Sequence, residues 1–189
     1  MYDLSTKPNL KPFRDVDPHD VVNFFAHTGS NVQKGTFVKL NGGVDPDATP
    51  ASFLNDLANV PSRAKSMRAV NPNKVVNAGS GDRPFGMTLY DVKEENAFGE
   101  KYIYRPRHDR SEQQIVTSGE SVPIVRRGIF EINGFVGAPD AGSGAIMSNT
   151  VEGQLTVVDK SAVDKDDLVG TFLSQSGADG YALFSLELA

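Results

Sequence analysis

Apolar and polar positions alternate most clearly over residues 181 to 188, where Ala182, Phe184, Leu186 and Leu188 interleave with Tyr181, Leu183, Ser185 and Glu187. A period of two places one set on a buried face and the other on the opposite face of a strand. The same short-strand character recurs at Gln114 to Thr117, Val122 to Arg126, Ile129 to Phe135, Ala145 to Asn149, Gly153 to Val158 and Val169 to Gln175. Turn signals stand at most of the joints: Ser118-Gly119, Arg127-Gly128, Asn133-Gly134 and Asp179-Gly180. Val169 to Gln175 and Tyr181 to Leu188 are expected to form a hairpin through "SGADG", with Gly177 and Gly180 free to take positive φ. A terminus this regular is expected to be paired and packed, closing a barrel.

Upstream the pattern is more varied. Residues 1 to 20 carry Pro8, Pro12 and Pro18 among polar residues and read as an extended arm. A strand is expected at Val21 to Ala26 for its β-branched and aromatic content, although Asp17-Pro18 with Asp20 also suits the cap of a short helix. Another follows at Thr36 to Leu40. Residues 41 to 78 change character and read as an insertion, irregular or partly helical: Phe53, Leu54 and Leu57 share one helix face after Thr49-Pro50, and Pro61 cuts the segment short. Strands return at Lys74 to Ala78, Phe85 to Val92 and Lys101 to Arg105. Short strands joined by turns, without alternating βαβ units, predict an all-β fold: a small barrel or sandwich of antiparallel strands, with an arm over 1–20 and a β-rich domain over 21–189.

Composition narrows the function classes. The 189 residues suit one domain, and no apolar run approaches the roughly 18 residues of a membrane span. A soluble protein with no membrane partner is expected. Cysteine is absent, which removes disulfides and thiolate metal sites. Net charge is −5; residues 1–150 hold 17 basic and 17 acidic side chains, and 151–189 hold 2 and 7. That balance argues against a nucleic-acid partner, which calls for a basic face.

Candidate chemistry is sparse. His19, His27 and His108 are far apart and share no metal-ligand spacing. "DKSAVDKDD" (159–167) lacks the glycine turn and closing glutamate of a calcium loop, and "GVDPDATP" is read the same way. "NAGSGDRPFG" leads into Pro84 and a strand where a phosphate cradle needs a helix start. "AGSGA" around Ser143 breaks the nucleophile-elbow spacing. The most charged stretch, "YIYRPRHDRSEQQ", mixes arginine with tyrosine, which is interface chemistry, and Glu94, Glu95, Glu100 and Asp109 blunt its field. No catalytic set, cofactor site or metal site is expected, and the protein is read as a non-enzyme.

Five phrases carry a resemblance: "VQKGTFVKL", "SGDRPFGMTLYDV", "SGESVPIVRRGIFEI", "GQLTVV" and "LVGTFLSQSGADGYALFSLEL". Together they resemble the decoration, or cement, proteins that coat the capsids of tailed bacteriophages. In that family a Lys-Gly turn leads into an early strand, a Pro-x-Gly-Met strand follows, a V-x-x-G segment opens the barrel and an Asp-Gly hairpin ends it. The match covers 32–40 and about 79–189, and residues 41–78 depart from it. The resemblance implies a structural virion protein on the capsid exterior, made in the host cytoplasm, that clamps adjacent major capsid subunits and associates with its own copies, often as a homotrimer. It further implies contact residues in the arm, Lys7, Lys11, Phe13 and Arg14, and in the charged hairpin, Tyr104, Arg105, Arg107 and Arg110. Two other readings stay open: a tail or baseplate component, and a small β-barrel hydrolase or carbohydrate-binding module suggested by the Tyr-rich and Asp-rich loops. The lack of tryptophan counts against a sugar-stacking platform.

Overall fold

A computed structural model describes residues 9–13, 15–29, 31–41, 74–96, 98–102, 110, 112–117 and 119–188. In chain order the strands are β1 (Leu10–Pro12), β2 (Val21–His27), β3 (Asn31–Val32), β4 (Phe37–Asn41) and β5 (Lys74–Asn77). Then come β6 (Gly86–Thr88), β7 (Asp91–Lys93), β8 (Ile115–Val116), β9 (Ser121–Val125) and β10 (Arg127–Ile132). The last five are β11 (Phe135–Val136), β12 (Gly144–Met147), β13 (Leu155–Val158), β14 (Gly170–Phe172) and β15 (Ala182–Glu187). The fold is all-β. Strands β2-β5-β4-β6-β9 hydrogen-bond in a closed ring, β1-β10-β15-β14-β12-β13-β11 form a seven-stranded sheet, and β3-β7-β8 form a small third sheet.

Most pairings are antiparallel, as expected, but β2 with β5, β7 with β8 and β11 with β13 run parallel. Parallel neighbours need a longer connection than a hairpin. The connections at β2/β5 and β7/β8 run over residues 28–73, which include β3 and β4, and 94–114, while β12 lies between β11 and β13.

The ring and the large sheet share one core. Phe37, Met87 and Val125 from the ring pack with Leu10, Phe130, Ile132, Leu155, Phe172, Phe184 and Leu186 from the sheet. Phe184 meets Phe37 edge-on at 6.4 Å between centroids and tilts against Phe172 at 5.1 Å, favourable aromatic geometries. A second cluster gathers Phe25, Val38, Val75, Val122 and Ile124 of the ring with Val32 and Val92 of the small sheet. Successive residues of one strand thus enter different cores, Phe37 and Val38 on β4, Ile124 and Val125 on β9. Both faces are covered at these two pairs of positions, so adjacent residues there are apolar in place of alternating.

Several expectations are corrected. The terminal hairpin exists, with Gly170 opposite Leu186 and Phe172 opposite Phe184, but it does not close the ring. β15 lies inside the seven-stranded sheet, hydrogen-bonded to β10 on one side and β14 on the other. Its inward set is as expected: Ala182, Phe184 and Leu186 are buried and Leu188 packs against them. Of the two turn glycines only Gly180 takes positive φ (83°); Gly177 stays outside the left-handed region and donates its amide to the Tyr181 carbonyl. The arm is not free over its length, because β1 pairs with β10 and Leu10 is fully buried. Residues 18–20 form a single 3-10 turn, with the Asp17 carboxylate accepting from the His19 amide, and β2 starts directly after it.

The expected strand Phe85 to Val92 is two strands in two sheets. It breaks at Leu89 and Tyr90: the Leu89 amide still bonds the Pro123 carbonyl in register with β9, but Pro123 has no amide to continue the ladder, and the Asp91 amide already bonds the Gln114 carbonyl beside β8. Of the expected strand Lys101 to Arg105, Lys101 makes an isolated bridge with Glu95, and residues 103–105 lie outside the described residues. Of the expected insertion, residues 42–73 lie outside the described residues, whereas Lys74–Asn77 is β5, an integral member of the ring.

Candidate interaction surface

The arm residues expected to make contacts begin at β1. Leu10 anchors this short strand in the core, which leaves Lys11 on the other face. The Lys11 ammonium sits 3.7 Å from the centroid of the Tyr181 ring and 3.5 Å from Asp179 Oδ2. Lys11 therefore fastens the arm to the terminal hairpin of its own chain, through a cation–π contact and a solvent-facing ion pair. The Asp179 carboxyl is held below its ordinary range, first by the Tyr181 amide and then by Lys11. Burial pushes the Tyr181 hydroxyl up, and Lys11 opposes that rise. Phe13, one residue past the strand, is half exposed. Lys7 and Arg14 lie outside the described residues.

Of the charged hairpin, Tyr104, Arg105 and Arg107 also lie outside the described residues. Arg110 is turned inward, which corrects its expected place on the surface. Its Nη1 donates to Glu120 Oε2 at 2.7 Å and to Thr117 Oγ1 at 3.3 Å, and the same Glu120 oxygen accepts from the Thr117 amide at 2.9 Å. Partial burial pushes the Glu120 carboxyl up, yet the Thr117 amide and hydroxyl with the Arg110 charge outweigh it and hold the carboxyl below its ordinary value. This arrangement closes the turn between β8 and β9. Its chemistry is structural, a charge kept in a shielded place by an ion pair to one Glu120 oxygen.

The remaining candidates resolve into local structure. His27 is buried; its Nδ1 accepts from the Gly29 amide at 2.8 Å and its Nε2 lies 2.9 Å from Asn77 Oδ1. That pairing fixes the neutral ring with the proton on Nε2, and burial lowers its pKa against the opposing hydrogen bond to Asn77. His19 is exposed, and His108 lies outside the described residues. Ser143 closes a turn with Asp140. In "NAGSGDRPFG" the Asp82 carboxylate accepts from Lys39 at 2.7 Å and from the Gly79 amide at 2.8 Å, which makes the glycine run a pinned turn. The "DKSAVDKDD" stretch folds into two 3-10 turns, Lys160–Ala162 and Lys165–Asp167, the first capped by Asp159. "GVDPDATP" is outside the described residues. Among the described residues, no group of three or more His, Cys, Asp or Glu side chains is placed to hold a metal ion, and no helix is long and apolar enough to cross a membrane.

One exposed residue escaped the sequence reading. Phe98 is 81% exposed, against 52% for Phe13 and 39–42% for Leu40, Val136, Val151 and Leu173. It sits at the tip of a turn that leaves β7 and returns at Lys101, with Tyr102 buried at the base. The available signal was "NAFGE", a lone aromatic between Asn and Gly turn residues.

The described side chains thus offer three surface features: the Lys11 clip with Phe13 beside it, the Phe98 turn, and the pinned loops. Compared with protein-family models, with curated proteins and with solved structures, the chain matches none of them.

Proposed function

We propose that the chain is a structural virion protein that binds the outside of a tailed-phage capsid and stabilises the shell by clamping adjacent major capsid subunits. The observation that carries this reading is where the five family-like phrases fall. "VQKGTFVKL" runs from Val32, the end of β3, through the Lys34-Gly35 turn into β4 up to Leu40, and "SGDRPFGMTLYDV" spans β6 and the start of β7. "SGESVPIVRRGIFEI" is β9 and β10, "GQLTVV" ends in β13, and the closing phrase is β14 and β15. These strands pair with one another: β4 with β6, β6 with β9, β10 with β15, and β15 with β14. The phrases are therefore the skeleton of the molecule and not scattered loop similarities.

The work of such a protein is binding, with neighbouring copies and several shallow contacts adding by avidity. The test is to titrate the purified chain onto undecorated phage heads. Saturable binding is expected, together with a rise in the temperature at which the heads release DNA. A titration without saturation overturns the reading.

A further inference from the structure

We propose that His27 is a proton-operated latch, a property of the fold separate from capsid binding: its neutral imidazole fastens the exit of β2 to β3, and protonation frees that edge strand to leave β7. His27 is the last residue of β2 and is buried. Its two ring nitrogens make unlike bonds. Nε2 donates to Asn77 Oδ1 of β5 at 2.9 Å, whereas Nδ1 accepts the Gly29 amide at 2.8 Å. An imidazolium carries a proton on each nitrogen. It therefore keeps the bond to Asn77 and breaks the one to Gly29, where two N–H groups would point at each other. Gly29 is the link to β3, since a Cβ there would lie 3.1 Å from both His27 Nδ1 and Val32 Cγ2.

β3 is short and lies at the edge of the small sheet, joined to β7 through Asn31 opposite Lys93 and Val32 opposite Val92. The chain is pinned on either side of it. The Thr28 amide bonds the Val75 carbonyl at 3.0 Å, and the Lys34 amide bonds Asp91 Oδ1 at 2.7 Å. Release is thereby confined between these two points. The surroundings resist a charge on the imidazole. Strand alternation puts His27 on the face of Phe25, which packs with Val38, Val75, Val92 and Val122 of neighbouring strands. Lys39, Lys74, Asp91 and Lys93 take the alternate positions on β4, β5 and β7; Lys39 is bonded to Asp82 and Lys93 to Asp91, each at 2.7 Å. Tyr90 brings a phenol to the same cluster. Glu120, one position beyond the Ser121–Ala26 pair, is the carboxylate in register with His27, and it holds Arg110 and the Thr117 amide. Burial keeps the imidazole below its ordinary pKa of 6.5, so the fastened form resists the proton that the released form accepts.

The experiment follows hydrogen exchange of the Gly29 amide in the full chain between about pH 7.5 and pH 5, corrected for the intrinsic exchange rate. In wild type its protection is expected to fall by up to about tenfold per pH unit once the pH drops below about 6.5. Urea below the unfolding transition should leave that exchange unchanged, because releasing a short edge strand exposes little surface. In His27→Asn the Oδ1 atom stands in for Nδ1 as acceptor and takes up no proton, so protection is expected to stay level with pH. Level protection in wild type overturns the latch. Exchange of Gly29 that rises with urea as steeply as that of Phe130 in the shared core means that the whole molecule opens, and it overturns a local release. A fall in His27→Asn equal to that in wild type overturns the assignment to His27. The first two outcomes are read on the wild-type chain alone.

Discussion

His27 shows how a single side chain writes a pH dependence into the fold. Its folded pKa lies below the ordinary 6.5 because burial opposes the charged ring. Between the folded pKa and 6.5 the unfolded chain binds the proton more readily. Stability is therefore whole above about pH 6.5 and falls as pH drops through that window, by at most ~1.4 kcal/mol per pH unit for one proton. Protonation also forfeits the Gly29 amide bond to Nδ1. The urea midpoint is expected to drop between about pH 7.5 and pH 5.5 in wild type and to flatten in His27→Gln; equal slopes in the two would rule out His27 as the source. The carboxyls of Asp82 and Glu120 are held low and titrate in a more acidic range, which keeps the histidine window separate. Other single residues were less legible from the chain. Arg110 stands in a run of surface-like charges, and only its ion pair to Glu120, ten positions on and across β8, turns it inward. Phe98 differs in composition from no other phenylalanine; what distinguishes it is the Asn96 turn that holds it out.

At the scale of elements, strands were readable wherever alternation and turn residues agreed, as over β10, β12, β13 and β15. Their ends shift by up to three residues, as where the strand expected to reach Phe135 stops at Ile132, because pairing partners set where a ladder stops. Which strand lies beside which was not readable. β1 pairs with β10 about 120 residues later, and nothing in a three-residue stretch names its partner. The same gap hid the place of the terminal strand, expected at the seam of a barrel and found between β10 and β14. That position sharpens an expectation. Removing residues 181–189 takes out an interior strand, exposes unpaired edges on β10 and β14, and uncovers Phe37, Phe130 and Phe172, which pack around Phe184. The truncated chain is expected to aggregate or to lose its sheet signal in circular dichroism. A monodisperse, cooperatively melting truncation would show the strand to be dispensable. Close packing adds a local constraint here: a Cβ on Gly170 would meet the Ser185 carbonyl oxygen and the Phe184 ring, so β14 and β15 approach only because that position has no side chain.

For the molecule as a whole, the consequential fact is that the ring and the large sheet share one core, built from side chains of both. Phe37 comes from the ring yet packs on Phe184 of the sheet, while its neighbour Val38 fills the ring's other cluster. Phe37→Ala is expected to cost about 3–5 kcal/mol and to lower one transition common to both parts. Chemical denaturation followed by tyrosine fluorescence and by far-ultraviolet circular dichroism should give coincident curves for wild type and variant. Two separated transitions would mean that the ring and sheet unfold independently. The pairing of β1 and β15 on either side of β10 bears on a different property, resistance to force. Leu10 lies opposite Ile132 at one end of β10, and Glu187 lies opposite Arg127 at the other. The chain therefore enters and leaves this three-strand unit at opposite ends of one strand. A pull between those two points runs along the strand axis, so the cross-strand hydrogen bonds are strained side by side in shear, and none can be peeled off before its neighbours.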